Sequence, residues 1–140
     1  MATSPRSKKS EPGSKPKPLP TDAELDILSV LWRLGPLSVR EVHEALAKGS
    51  AYTTTLKQMQ VMTEKGLVLR NERFRTHIYQ AAIGQDQTQV RMAGNLLSRA
   101  FHGSAAKLVM GALAAKPASS DELSEIRRVL DRIEKEGQGR

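Results

Sequence analysis

Residues 38–66 read "SVREVHEALAKGSAYTTTLKQMQVMTEKG", two helical patterns separated by a short Gly-Ser link. At about 100° per residue, Tyr52, Thr55, Leu56, Met59, Met62 and Thr63 share one sector of the second pattern. Thr53, Thr54, Lys57, Gln60, Val61 and Glu64 share the other, with Gln58 at the border. The first sector is a core-facing stripe. The second faces solvent or a partner. Lys65 followed by Gly66 is an expected helix end, a cation in the last turn and then a residue free to take positive φ. The threonine run predicts a threonine cap at the start, since a hydroxyl can accept from the free N–H groups there. An ordinary amphipathic helix satisfies this pattern too, so the neighbouring segments decide what the polar face is for.

Upstream, Thr21 with Glu24 makes a capping box. A mostly apolar helix follows (Leu25, Ile27, Leu28, Val30, Leu31, Trp32, Leu34), stopped by Gly35-Pro36. Leu37 is a short extended link. Ser38 with Glu41 makes a second box, opening a helix marked by Val39, Val42, Ala45 and Leu46 that is expected to end near Lys48-Gly49. Downstream of Gly66 the period changes. Leu67 to Leu69 are strand-like, "RNERFR" is a polar turn, and "THIYQA" resumes with Ile78 and Tyr79. With Phe74 and not glycine near its tip, the turn is expected to find its positive-φ residue at Asn71. Helix, link, helix, helix, hairpin over residues 21–83 is the order of a winged helix-turn-helix.

Residues 86–137 predict three more helices. One runs from about Gln87 to Phe101, with Val90, Leu97 and Phe101 in register, and is broken at Gly103. The next opens at Ser104 and carries Leu108, Val109 and Leu113 as far as Lys116-Pro117. The last follows a third box, Ser119 with Glu122, and carries Leu123, Ile126, Leu130 and Ile133. Three short amphipathic helices cannot bury all their apolar faces alone. A second copy of the chain is the expected cover, making this a helical dimerisation domain.

The 140 residues carry a formal net charge of +7, unevenly placed. Residues 1–20 hold five Lys/Arg, one Glu and five of the seven prolines, which predicts a disordered basic tail. Residues 21–47 are acidic. Residues 48–77 hold six Lys/Arg against Glu64 and Glu72. An acidic stretch followed by a basic one suits a molecule with one cationic face, the footprint of a phosphate-backbone binder. There is no cysteine, and the three histidines are far apart, so neither disulfides nor a metal site is expected. No apolar run approaches a membrane span, no secretory signal is visible, and a cytoplasmic bacterial location is expected. Asp22, Glu24 and Asp26 are clustered carboxylates, but first-turn acids suit the helix dipole and need no catalytic explanation. No nucleophile–base pair and no phosphate loop is present, so no enzyme and no cofactor is expected.

In a helix-turn-helix the second helix enters the major groove. Thr53 and Thr54 then suit phosphate oxygens, and Lys57 and Gln58 reach base edges, Gln pairing bidentately with adenine. Arg70, Arg73 and Arg75, with His77 beside them, form a cationic wing for backbone or minor groove. Double-stranded DNA is the expected partner.

The stretch also resembles the BlaI/MecI/CopY penicillinase-repressor family. The matching residues are Leu31-Trp32, Gly35-Pro36-Leu37-Ser38-Val39-Arg40-Glu41-Val42, Ala51-Tyr52-Thr53-Thr54 and Glu64-Lys65-Gly66-Leu67-Val68, with "SSDELSEIRRVLDRIEKE" similar to the family's last dimerisation helix. The resemblance implies a homodimeric repressor on a dyad-symmetric, palindromic operator; two-fold docking geometry sets the two winged domains about one DNA turn apart, or a little more or less. The resemblance also implies an inducing protease or other signal. The departures concern that signal. Gly111-Ala112 stands where the family's cleaved Asn-Phe pair aligns, no cysteine supplies a copper-binding hook, and Val61 replaces an arginine common in the family. The alternative is a winged-helix protein-interaction module, marked by exposed apolar residues on the third helix, where only Val61 fits.

Overall fold

A computed structural model describes residues 18–47, 49–73 and 75–138. The expected tail up to residue 17, and the expectations for Lys48 and Phe74, lie outside the described residues. The chain is mainly helical with one small hairpin: α1 (Asp22–Leu34), α2 (Val39–Leu46), α3 (Tyr52–Lys65), β1 (Val68–Asn71), β2 (Ile78–Ala81), α4 (Gln85–Ala100), α5 (Ala105–Ala115) and α6 (Ser120–Gln138). It divides into two compact units, the first ending at Met92 and the second beginning at Ala93.

Local chemistry sets the helix ends of the first unit. Thr21 Oγ1 accepts the Glu24 N–H at 3.2 Å while Glu24 Oε1 accepts the Thr21 N–H at 3.0 Å. Ser38 and Glu41 repeat this at 3.2 and 2.9 Å. Both boxes satisfy donors that the first helical turn leaves unpaired. α1 stops at Gly35, whose φ of 90° is open to glycine at no steric cost. α2 ends earlier than expected. Its cap is Ala47, at φ 52°, and Gly49 is not among the positive-φ residues. The Ala47 N–H reaches the His43 carbonyl at 3.4 Å, so closing the last turn outweighs a left-handed penalty of about 1 kcal/mol.

The expected threonine cap of α3 is not formed. Ala51 occupies that position in extended conformation, and no side chain caps the helix. The threonines lie one to three residues further in, where Thr53 and Thr54 point outward and Thr55 is buried. Gly66 ends α3 at φ 82°, its N–H turned to the Met62 and Thr63 carbonyls.

The core draws on every element up to the hairpin: Ile27, Leu28, Val30 and Leu31 of α1, Val39 and Val42 of α2, Met59 and Met62 of α3, then Leu67, Val68 and Tyr79. The hairpin is antiparallel, with Val68 opposite Ala81 and Asn71 opposite Ile78. Leu37, the short link, is more than a connector. It exchanges two backbone hydrogen bonds with Tyr79, at 3.0 and 2.8 Å, and so forms a one-residue third strand. This seats the start of α2 against β2. The Trp32 indole N–H donates to the Ile83 carbonyl at 3.0 Å and fastens α1 to the segment after the hairpin. At the wing tip, Asn71 does not take positive φ. Its side-chain oxygen instead accepts the Arg73 N–H at 2.8 Å, a local side-chain tie across the start of the turn.

In the second unit, His102 and Gly103 are both left-handed, at φ 51° and 84°, and reverse the chain between α4 and α5. Ser104 caps α5 through the Lys107 N–H at 3.1 Å, and Ser119 accepts the Glu122 N–H at 3.1 Å at the start of α6. The Phe101 ring lies over Gly111, where an added Cβ would meet ring carbons at 3.5 Å. Neither α5 nor α6 contains a buried residue.

Candidate nucleic-acid interface

The outward face of α3 carries Thr53, Thr54, Lys57 and Gln60, all exposed, with Gln58 half-buried at its edge and Glu64 near the far end. The opposite face is fixed by Thr55, Met59 and Met62, of which none is more than 1 % exposed. A helix so anchored cannot rotate without exposing core, so its outward residues are held in place. No side chain caps this helix start, and the Thr54 N–H turns back to the Ala51 carbonyl at 3.0 Å.

Two interactions tie α3 to its neighbours. Thr55 Oγ1 lies 2.9 Å from His43 Nδ1 on α2. Lys65 Nζ donates to Glu24 Oε2 of α1 at 2.7 Å. Glu24 is 5 % exposed, and burial pushes its carboxyl pKa up. The Lys65 hydrogen bond, the Thr21 N–H and the lysine charge together outweigh burial, so the group stays ionised to lower pH than an ordinary glutamate.

The wing lies next to this helix. Arg73 and Arg75 are exposed in the turn. Arg70, on β1, is paired with Glu72, and its affinity for its proton is raised by bonding to Tyr79 first and Glu72 second. Of the three arginines expected to serve the wing, Arg70 is therefore the one already engaged. Two further acids of this unit are likewise occupied, Glu24 by Lys65 and Thr21, Glu41 by Ser38. Among the described residues, no carboxylate pairs with Lys57, Arg73 or Arg75.

Between the N-terminus of α2, the first turns of α3 and the base of the wing lies a cleft of about 410 Å³. Arg40, Tyr52, Leu56, Arg75, Thr76 and His77 help to line it, over a floor that includes Tyr79. Sequence reasoning placed Arg75 and His77 near the turn and missed the role of Arg40 and Tyr52 in this surface. The Arg40 guanidinium stands 4.7 Å from the Tyr52 ring centroid, and the His43 ring meets Tyr52 edge-on at 5.8 Å. The available signal was that the helix preceding a recognition helix crosses the DNA backbone, and Arg40 sits in its first turn.

The residues expected to mediate dimerisation lie on α4 to α6, except Phe101, which follows the end of α4. Val90 belongs to the first unit and is 70 % exposed; Val109, Leu130 and Ile133 are exposed, and Leu97, Phe101, Leu108, Leu113, Leu123 and Ile126 are half-buried. Leu96, Met110 and Val129 are exposed as well and extend the apolar surface beyond the expected set. Within the second unit, Leu108, Val109, Ala112, Leu113 and Ile126 line an apolar cavity of about 450 Å³.

An anchored outward-facing helix, a preceding helix braced against it and a basic hairpin define a winged helix-turn-helix protein with an appended helical segment. The chain belongs to the penicillinase repressor family: the profile described as "Penicillinase repressor" matches residues 20–132. It is 30% identical over 116 residues to the transcriptional regulator BlaI of Mycobacterium tuberculosis, covering 81% of this chain and 83% of that protein. It is 24% identical over 113 residues to the penicillinase repressor of Bacillus licheniformis, covering 79% and 88%. Family membership places the chain among transcriptional repressors and not among enzymes.

Proposed function

We propose that the chain is a sequence-specific transcriptional repressor that binds a palindromic duplex operator as a homodimer in the cytoplasm. One observation carries the DNA-binding half: cationic side chains without carboxylate partners, on α3 and the wing, border an uncapped helix start. Thr53 and Thr54 hold phosphate, Lys57 and Gln58 read base edges, and Arg73 and Arg75 neutralise backbone, with Arg70 in support. Residues 21–83 form the reading domain and residues 86–137 the dimerisation domain. The apolar side chains of α4 to α6 that the chain leaves uncovered support pairing with a second copy, and a two-fold protein calls for a two-fold operator.

No helix among the described residues is long and apolar enough to cross a membrane. Gly111 lies inside α5 beneath Phe101, and an Asn-Phe cleavage pair is not available there; an inducing protease or other signal would act elsewhere.

Selection of duplexes from a randomised library by the full-length protein tests the reading. The expected outcome is enrichment of an inverted repeat whose half-sites are one DNA turn apart, give or take a few base pairs. Enrichment of no sequence, with protein partners captured through α3 instead, would replace the reading by that of a protein-interaction module.

A further inference from the structure

We infer that the cleft between α2, α3 and the wing is a clamp for one DNA backbone phosphate, with Arg40 as its main donor and Tyr52 as the residue that positions Arg40. The inference rests on the DNA-binding function proposed above and adds a contact from outside the recognition helix and the wing tip. Arg40 lies over the Tyr52 ring, at 4.7 Å. Stacking occupies the face of a guanidinium and leaves its in-plane N–H donors free, which is the geometry for forked bonding to phosphate. Tyr52 is itself held, its ring meeting His43 edge-on while His43 is bonded to the buried Thr55. The arginine is thus ordered before any ligand arrives, which lowers the entropy lost on capture.

The remaining walls have matching chemistry. Arg75 and His77 approach from the wing, and Thr76 adds a hydroxyl. Among the described residues, no carboxylate lines the cleft and none pairs with Arg40, Arg75 or His77. Donors from two separate elements that converge without an acid call for an anion from outside. The cleft opens beside the start of α3, where a duplex backbone would pass on its way from recognition helix to wing.

The test uses the full chain and a labelled duplex of arbitrary sequence, titrated over a range of NaCl concentrations. Arg40→Ala removes one phosphate contact from each subunit of the dimer, so it should make the plot of log affinity against log salt shallower by about 1.8 and weaken binding about tenfold per subunit at 0.1 M salt, on every duplex alike. Arg40→Lys should keep the slope and still bind more weakly, since an ammonium neither stacks nor forks. Tyr52→Leu should likewise keep the slope while lowering affinity, as expected of a positioning residue. Arg40 is exposed, so the variants should melt like the wild type; Arg40→Gln removes the charge while keeping the stem should Arg40→Ala prove unstable. A wild-type slope for both Arg40→Ala and Arg40→Gln overturns the clamp. It does so even where inorganic phosphate, titrated against the free protein, shifts the Arg40 Nε–H resonance, because the site would then take a free anion and not DNA. A flat plot for the wild type would instead overturn the DNA-binding function itself.

Discussion

Glu24 closes the α1 cap and receives Lys65 from the end of α3, so a first-turn acid that resembled part of a carboxylate cluster is a structural tie. Replacing it by Gln removes a buried charge partner and should cost about 1–3 kcal/mol, less than a fully buried pair because Lys65 is partly solvated. The pH dependence has a definite sign. A carboxyl held below its ordinary range binds fewer protons folded than unfolded, so its stabilisation is complete above the unfolded value and is lost as pH falls through the folded one. Thermal midpoints followed from pH 7 downward should therefore fall more steeply in the wild type than in Glu24→Gln below about pH 4.5. On the binding face, Gln58→Ala should relax preference at one operator position in a selection experiment and leave the salt slope intact. Arg75→Ala should weaken every duplex and lower the slope, whereas Arg70→Ala should do less, since Arg70 is already paired with Glu72.

At the scale of the element, α3 is a helix whose start is left unfinished. Serine, threonine or aspartate before Tyr52 would satisfy its first N–H groups, and Ala51 cannot. Ala51→Asp should raise stability by about 0.5–2 kcal/mol in denaturant melts. The same change places a carboxylate where the proposed function puts a phosphate oxygen, so it should weaken DNA binding; a variant both more stable and equally tight on DNA would show that the helix start takes no part. The two upstream caps were legible from Thr21–Glu24 and Ser38–Glu41, and the anchored stripe of α3 from the spacing of Thr55, Met59 and Met62, because local hydrogen bonding and helical period fix both. What the sequence did not reveal depends on distant partners. Leu37 becomes strand only because Tyr79 lies beside it, and Arg40 lines the cleft only through the fold of α2 against Tyr52.

For the whole molecule, the contrast between the units carries the argument. The first has a core of side chains almost without exposure, while α5 and α6 of the second contain no buried residue. The helical segment leaves Val109, Met110, Leu130 and Ile133 exposed, the apolar surface that the proposed homodimer would cover. Leu130→Asp with Ile133→Asp should yield a chain that sediments as a monomer and keeps the folded first unit, and its affinity for an inverted repeat should drop to that for a single half-site. The apolar spacing of α4 to α6 was plain in the sequence, but the wider surface through Leu96, Met110 and Val129 was not, because helical period alone does not say how broad a face is left uncovered. The central claim is that an unpaired cationic surface meets the phosphate backbone, and the salt dependence of duplex binding by the wild-type chain tests it most directly. The account predicts a straight line of log affinity against log salt, falling with a slope of about −0.9 for each of several phosphates neutralised. Affinity that is absent, or that does not change with salt, would contradict it.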